Sequence, residues 1–229
     1  MKNKVIILIQ LILTFFLFFH FNFLSANDVL INAEVVDIKD KGNLVIATRS
    51  VNINDGNNIE ITGEEAKYNK INQTIEIIGN VIFFDKEKNY KAMGDKFVFN
   101  RNKKTLSSIG NTIFNLYDDE NKDINFEIKS ENSFFDQKKN YLELKDGVFL
   151  KDLNKNYEIN SNKIIYFNTK ELFKSYGDTK INYNNQFLIV SSDIEYNRIK
   201  QNFYTDKKTI IDDNFNNKFI HFDKGKKCI

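Results

Sequence analysis

Proline and tryptophan are absent from the 229 residues, cysteine occurs once, at Cys228, and histidine twice, at His20 and His221. Each shortage excludes something. A single thiol cannot close an intrachain disulfide, so packing and strand pairing alone must hold the fold. Cys228 is next to last, whereas a prenylation box needs its cysteine four from the end. It is either a thiol for another molecule or an unimportant tail residue. With so little histidine, a Ser-His-Asp device or a His-rich metal site has almost no material, and no metal site or cofactor is expected. A G-x-x-x-x-G-K-[ST] phosphate loop is also missing. Finally, charge of one sign is lacking. Lys and Arg number 33 against 31 Asp and Glu, a net of +2, and the two signs are interspersed along the chain. That balance argues against a nucleic-acid-binding stripe or a polybasic membrane patch.

What is abundant is Asn, Ile, Lys and Phe, with aromatics at 14%. Residues 1–26 differ from the rest. Lys2 and Lys4 precede the apolar run Val5–Phe19, and Leu24, Ser25 and Ala26 end it with small residues before Asn27. This pattern predicts a secretory signal peptide, the alternative being an uncleaved anchor over Val5–Leu24. Either way, Asn27 onward is expected outside the inner membrane.

From Asn27 to Asp213 one unit recurs. EEAKYNKINQTIEIIGNVIFF (Glu64–Phe84) returns as DKFVFNRNKKTLSSIGNTIF (Asp95–Phe114) and SENSFFDQKKNYLELKDGVFL (Ser130–Leu150), and again over Ser161–Ile181 and Ser191–Ile210. Its aromatic anchors Tyr68, Phe99, Phe135, Tyr166 and Tyr196 fall 31, 36, 31 and 30 residues apart. Each unit reads as an apolar-aromatic strand, a polar turn such as Asn69-Lys70-Ile71-Asn72, a second alternating strand, then Gly-Asn or Gly-Asp leading to a third. Apolar residues two apart, as in Ile75, Ile77, Val81 and Phe83, put one row on one sheet face. No helical periodicity or Gly/Ser/Pro linker interrupts the series. Strands are predicted over Val29–Ile38, Leu44–Ile53, Ile59–Tyr68, Thr74–Asp85, Tyr90–Asn100, Thr105–Tyr117 and Ile124–Phe135, then Tyr141–Leu150, Tyr157–Phe167, Glu171–Tyr183, Phe187–Tyr196 and Gln201–Ile210. The polar, Lys-rich residues 214–229 are expected to be a loose tail.

Such hairpins cannot bury their apolar rows singly, but stacked units can, and the stack leaves open edges. The recurring positions Ala66, Tyr68-Asn69, Ile75 and Gly79-Asn80-Val81, matched by Phe97, Phe99-Asn100, Leu106 and Gly110-Asn111-Thr112, resemble the OstA-like domain family of lipopolysaccharide transport. The resemblance covers residues 27–213. Its later copies depart from the pattern at Asp146-Gly147, Gly177-Asp178 and Lys207-Lys208.

The resemblance implies an elongated, twisted, partly open β-jellyroll whose inner face holds acyl chains. The implied groove positions are Ala66, Tyr68, Ile75, Ile77, Val81 and Phe83 in the best copy. Their counterparts are Phe97, Phe99, Leu106 and Ile113 or Phe114 in the second, Phe135, Leu142, Leu144 and Val148 in the third, and Ile164, Tyr166 and Phe173 in the fourth. The implied partners are lipopolysaccharide and, through edge-to-edge strand pairing, an inner-membrane LptC-like subunit, an outer-membrane LptD-like protein, or further copies of this chain. A periplasmic location and no catalysis go with that reading. Whether the chain is a freestanding bridge, a barrel-less part of the assembly protein or an anchored LptC-like subunit stays open.

Two rival classes remain. A polysaccharide-acting jellyroll enzyme needs two carboxylates across a cleft, and Glu64-Glu65, Asp118-Asp119-Glu120 and Asp212-Asp213 read more simply as solvated turns. A structural or adhesive repeat requires a closed, dry core, whereas a lipid carrier requires an open seam.

Overall fold

The structure, a computed structural model, describes residues 28–117, 124–216, 218–222 and 226–227. The predicted signal segment, the acidic stretch 118–123 and Cys228 lie outside the described residues. The described residues are all-β, one antiparallel sheet whose long central strands pair in sequence order. Its strands are β1 (Leu30–Asn32), β2 (Val35–Lys39), β3 (Leu44–Asn54), β4 (Ile59–Asn69), β5 (Thr74–Asp85), β6 (Tyr90–Asn100), β7 (Thr105–Tyr117), β8 (Ile124–Asp136) and β9 (Tyr141–Asp152). These are followed by β10 (Tyr157–Phe167), β11 (Leu172–Tyr183), β12 (Phe187–Ser192), β13 (Glu195–Asn197), β14 (Asn202–Tyr204), β15 (Thr209–Asp213), β16 (Lys218–Phe222) and β17 (Lys226–Lys227).

The long strands bend at mid-length. Gly79-Asn80 does not lead into a third strand as the repeat suggested; it is a β-bulge inside β5, where register shifts between Ile78 and Ile82 against β4 and between Ile78 and Val81 against β6. Equivalent bulges interrupt β7 at Gly110-Asn111, β9 at Asp146-Gly147 and β3 at Arg49-Ser50. The two extra residues adopt left-handed backbone, which Gly and Asn tolerate best. The bulges of β5 and β7 are each tied to the preceding strand by a short polar contact: the Asn80 amide donates to Glu64 at 2.7 Å, and that of Asn111 to Asp95 at 3.0 Å.

Lined up across the sheet, these bulges form a crease that folds it onto itself. In consequence residues 74–78 and 96–100 belong to one layer, residues 81–85 and 90–94 to the other. Phe83 meets Phe99 across the fold at 5.3 Å between ring centroids, Tyr90 meets Phe135 at 5.2 Å and Phe126 meets Phe173 at 5.6 Å. The inward rows from both layers make a single core.

The crease also explains where the predicted strands break. Val29–Ile38 divides at Ala33-Glu34, Phe187–Tyr196 at Asp193-Ile194, and Gln201–Ile210 at residues 205–208, each break being where a pass crosses from layer to layer. The tail is not wholly loose, because Lys218–Phe222 pairs with β15 as a further strand. Among the described residues, unpaired outer sides are left at β1 and β2 at one end and at β16 and β17 at the other. All five residues of β2 are exposed, Val35, Val36 and Ile38 among them.

Candidate functional site: the seam between the two rows of turns

Folding at the crease brings the two rows of hairpin turns together opposite it. One lip of this seam consists of turns 40–43, 70–73, 101–104, 137–140, 168–171 and 198–201. The facing lip consists of turns 55–58, 86–89, 153–156 and 184–186. Each lip is continuous in itself, since successive turns are joined by backbone bonds such as Arg101 N–H to Gln73 O and Lys86 N–H to Asn58 O, both 2.9 Å. Among the described residues no backbone-to-backbone hydrogen bond crosses from lip to lip. Side chains do the crossing.

Among the described residues three such rungs stand out. The Arg101 guanidinium reaches the carbonyl oxygen of Asp55 at 2.8 Å while also donating to Gln73 at 2.5 Å. The Gln137 amide donates to the Asp85 carboxylate at 2.7 Å and to the Tyr90 hydroxyl at 2.9 Å. Arg198 donates to Asp152 at 2.8 Å and to Glu171 at 3.1 Å, with its guanidinium 4.8 Å over the Phe126 ring. Each rung residue directly follows the Asn or Asp that ends its strand, in Asn100-Arg101, Asp136-Gln137 and Asn197-Arg198. Its partner belongs to an Asp that also caps its own turn. The Asp152 carboxylate accepts from the backbone of Asn154 and Lys155, and that of Asp85 from Glu87 and Lys88.

Burial shapes the electrostatics here. It raises the Asp85 carboxyl above its ordinary range, offset in part by the backbone N–H groups of Lys88 and Glu87. The Tyr90 phenol is pushed well up by burial and then by the Asp85 charge. For Arg198, burial works against the charge, but the hydrogen bond and charge of Asp152, followed by those of Glu171, outweigh it and hold the guanidinium above its usual value. Burial, followed by the Glu171 charge, takes Tyr166 up to about 12.

Between the rungs the seam has windows. The widest, at the end nearest β1, has a volume of about 1000 Å³ and is bordered by Lys70, Arg101, Lys104, Tyr68 and Asp28. A second, of about 190 Å³, lies between the Arg101 and Gln137 rungs, beside Lys88, Lys104 and Lys138. The third is apolar. It is a slot of about 60 Å³ lined by Tyr90, Phe114, Leu116, Phe135, Leu142 and Tyr166, with Lys88, Asn140 and Asn168 from the turns around it. The slot opens into the core between the Gln137 and Arg198 rungs.

The expected groove positions are distributed unevenly around these windows. All except Phe135 are buried in the common core, from Ile75, Phe83, Leu106, Leu144 and Ile164 at 0% exposure to Tyr68 and Tyr166 at 5%. Phe135 is partly buried. Of the whole set Phe114, Phe135, Leu142 and Tyr166 line the slot, and Tyr68 borders the wide window. In the second copy the inward residue is Phe114 and not Ile113. Sequence reasoning missed the rungs and the slot residues Tyr90 and Leu116. The rungs had a usable signal, the basic or amide residue that follows the strand-ending Asn69, Asn100, Asp136 and Asn197 along one lip. Among the described residues no group of three or more His, Cys, Asp or Glu could hold a metal ion, and no helix is long and apolar enough to cross a membrane.

No family model matches the chain, and no curated protein sequence matches it. Among solved structures the chain is similar to LptH, the LptA-homologous periplasmic component of the lipopolysaccharide transport device of Pseudomonas aeruginosa. The identity is 12%, the TM-score 0.40, and the match covers 66% of this chain and 85% of that one.

Proposed function

We propose that this chain is a non-catalytic, periplasmic lipopolysaccharide-binding component that shelters acyl chains in its apolar interior and passes the lipid toward the outer membrane. The observation that carries the proposal is that the interior is closed along one side by side chains only, with an apolar slot between two of the rungs. A slot of about 60 Å³ holds only a few water-sized groups. An acyl chain therefore enters by parting the lips, which breaks side-chain contacts and leaves every strand pairing intact. At about 0.8 kcal/mol per buried methylene, ten methylenes contribute about 8 kcal/mol, enough to offset a rung or two. Burial supplies no direction, so the work of transport comes from a partner. The repeat's resemblance to the OstA-like domain supports the same reading. The unpaired edges at β1–β2 and β16–β17 are where an LptC-like, an LptD-like or a second identical chain would add its strands.

A structural repeat protein with a dry core is the second reading, favoured by the near-complete burial of the expected groove positions. Site-specific photocrosslinking in cells decides between them. Adducts with lipopolysaccharide from Phe135, Leu142 and Tyr166, but not from outward Glu76, are the expected result. A folded protein that gives no adduct at any slot position would establish the dry repeat.

A further inference from the structure

Charge is mixed along the chain, yet the fold sorts it. Three consecutive turns of one lip, residues 70–73, 101–104 and 137–140, carry Lys70, Arg101, Lys103, Lys104, Lys138 and Lys139 and no carboxylate, whereas the turn before them, 40–43, carries Asp40 and Lys41. Lys139 pairs with Asp136 and Arg101 serves as a rung. Lys70, Lys103, Lys104 and Lys138 make no ion pair among the described residues. Across the seam Asp55 and Asp85 accept from their own turns, and Glu87 lies 3.6 Å from Lys88; among the described residues Asp28 is the one acid on the border of the wide window, against Lys70, Arg101 and Lys104. Lys104 borders both the wide window and the second one, and Lys88 borders both the second window and the apolar slot. Cations thus line a continuous path that ends at an opening into the core.

We infer that these three turns bind the phosphate-bearing headgroup of an amphiphile whose acyl chains enter the slot, with Lys70, Lys103, Lys104 and Lys138 supplying the positive charge. The inference rests on the lipid reading above and adds where the head sits. Successive turns of a lip are two strands apart, about 10 Å, so the lip presents cations at intervals that an extended headgroup with more than one phosphate spans. The wide window, about 1000 Å³, is at the upper end of pockets that enclose drug-sized ligands. An exposed cation paired singly contributes little, but a phosphate accepts several charge-assisted bonds at once, and convergent lysines act together.

The test compares a diphosphorylated glycolipid with the same lipid after enzymatic dephosphorylation, binding to the full chain at fixed ionic strength. The variant is Lys70→Gln, Lys103→Gln, Lys104→Gln. Glutamine is safe at position 104, because Gln73 and Gln201 occupy the same left-handed place in sister turns. Lys155→Gln, on the facing lip, is the control. The expected result is that the triple variant binds the phosphorylated lipid roughly tenfold more weakly, three exposed ion pairs lost together, while the dephosphorylated lipid and the control variant show no change. Equal loss for both lipids, or no loss for either, overturns the headgroup assignment and leaves the lipid reading standing. Displacement of the phosphorylated lipid by millimolar inorganic phosphate, but not by chloride of equal ionic strength, reassigns the lip to free phosphate and also overturns it. Wild-type protein that binds neither lipid overturns the lipid reading itself.

Discussion

Arg198 and Asp152, 46 residues apart in the chain, meet across the seam with the Arg198 Nε 2.8 Å from the Asp152 carboxylate. Asp152 is fully buried and Arg198 mostly so, the side chains being 0% and 16% exposed. Removing the cation alone strands a buried carboxylate. Arg198→Ala should cost about 3 kcal/mol in denaturant unfolding. Combining Arg198→Met with Asp152→Asn, which keeps an oxygen for the turn cap, should recover at least half of that. A double variant as unstable as the single one would show that packing on Phe126, and not the charge pair, is what Arg198 provides.

Glu143, on the outer face, is held by Lys163 at 2.7 Å, Lys145 at 3.0 Å and the Tyr141 hydroxyl at 3.0 Å. The Lys163 hydrogen bond leads in lowering its carboxyl to about 2, against a smaller effect of burial. A carboxyl depressed on folding contributes stability above its unfolded value, near 4.5, and loses it as pH falls toward 2. With its lysines partly exposed, the contribution is about 1 kcal/mol. Wild type should therefore exceed Glu143→Gln by that amount at pH 7, and the difference should vanish near pH 2. A gap independent of pH would disprove the linkage.

The bulges differ in how tightly they are packed. Gly79 has φ +82°, and an added Cβ would lie 2.7 Å from the Cβ of Glu64, whereas at Gly147, φ +69°, nothing stands within 4 Å. Gly79→Ala carries both backbone strain and a collision; Gly147→Ala carries the strain only. The first should lower stability by about 1 kcal/mol more than the second, measured by thermal or urea unfolding.

Leu116→Phe places a ring at an apolar slot of only about 60 Å³. We expect several-fold weaker lipid capture with unfolding free energy within about 0.5 kcal/mol of wild type, as for a tolerated hydrophobic exchange at a partly buried site. Undiminished capture would place the acyl entry elsewhere on the seam.

Much of the molecule is legible in the residues themselves. Alternation of apolar side chains and Asn-rich turns specified the strands from Leu44 to Tyr183 to within a few residues, because both signals are local. The inward rows were equally legible, since period two assigns a face without any knowledge of the partner. The bulges were visible as Gly-Asn and Gly-Asp but not their role, because a left-handed pair suits a tight turn and a bend alike.

What only the tertiary structure decided is the seam. Arg101, Gln137 and Arg198 look like ordinary turn residues until the crease brings their turns against others about 50 positions away. Likewise the lysines alternate with acids along the chain. Antiparallel passes then send every second turn to the same lip, collecting cations without a carboxylate over the three turns 70–73, 101–104 and 137–140. Local chemistry settles which residues form a strand and which form a turn; which turns face each other depends on how far the folded sheet travels between them.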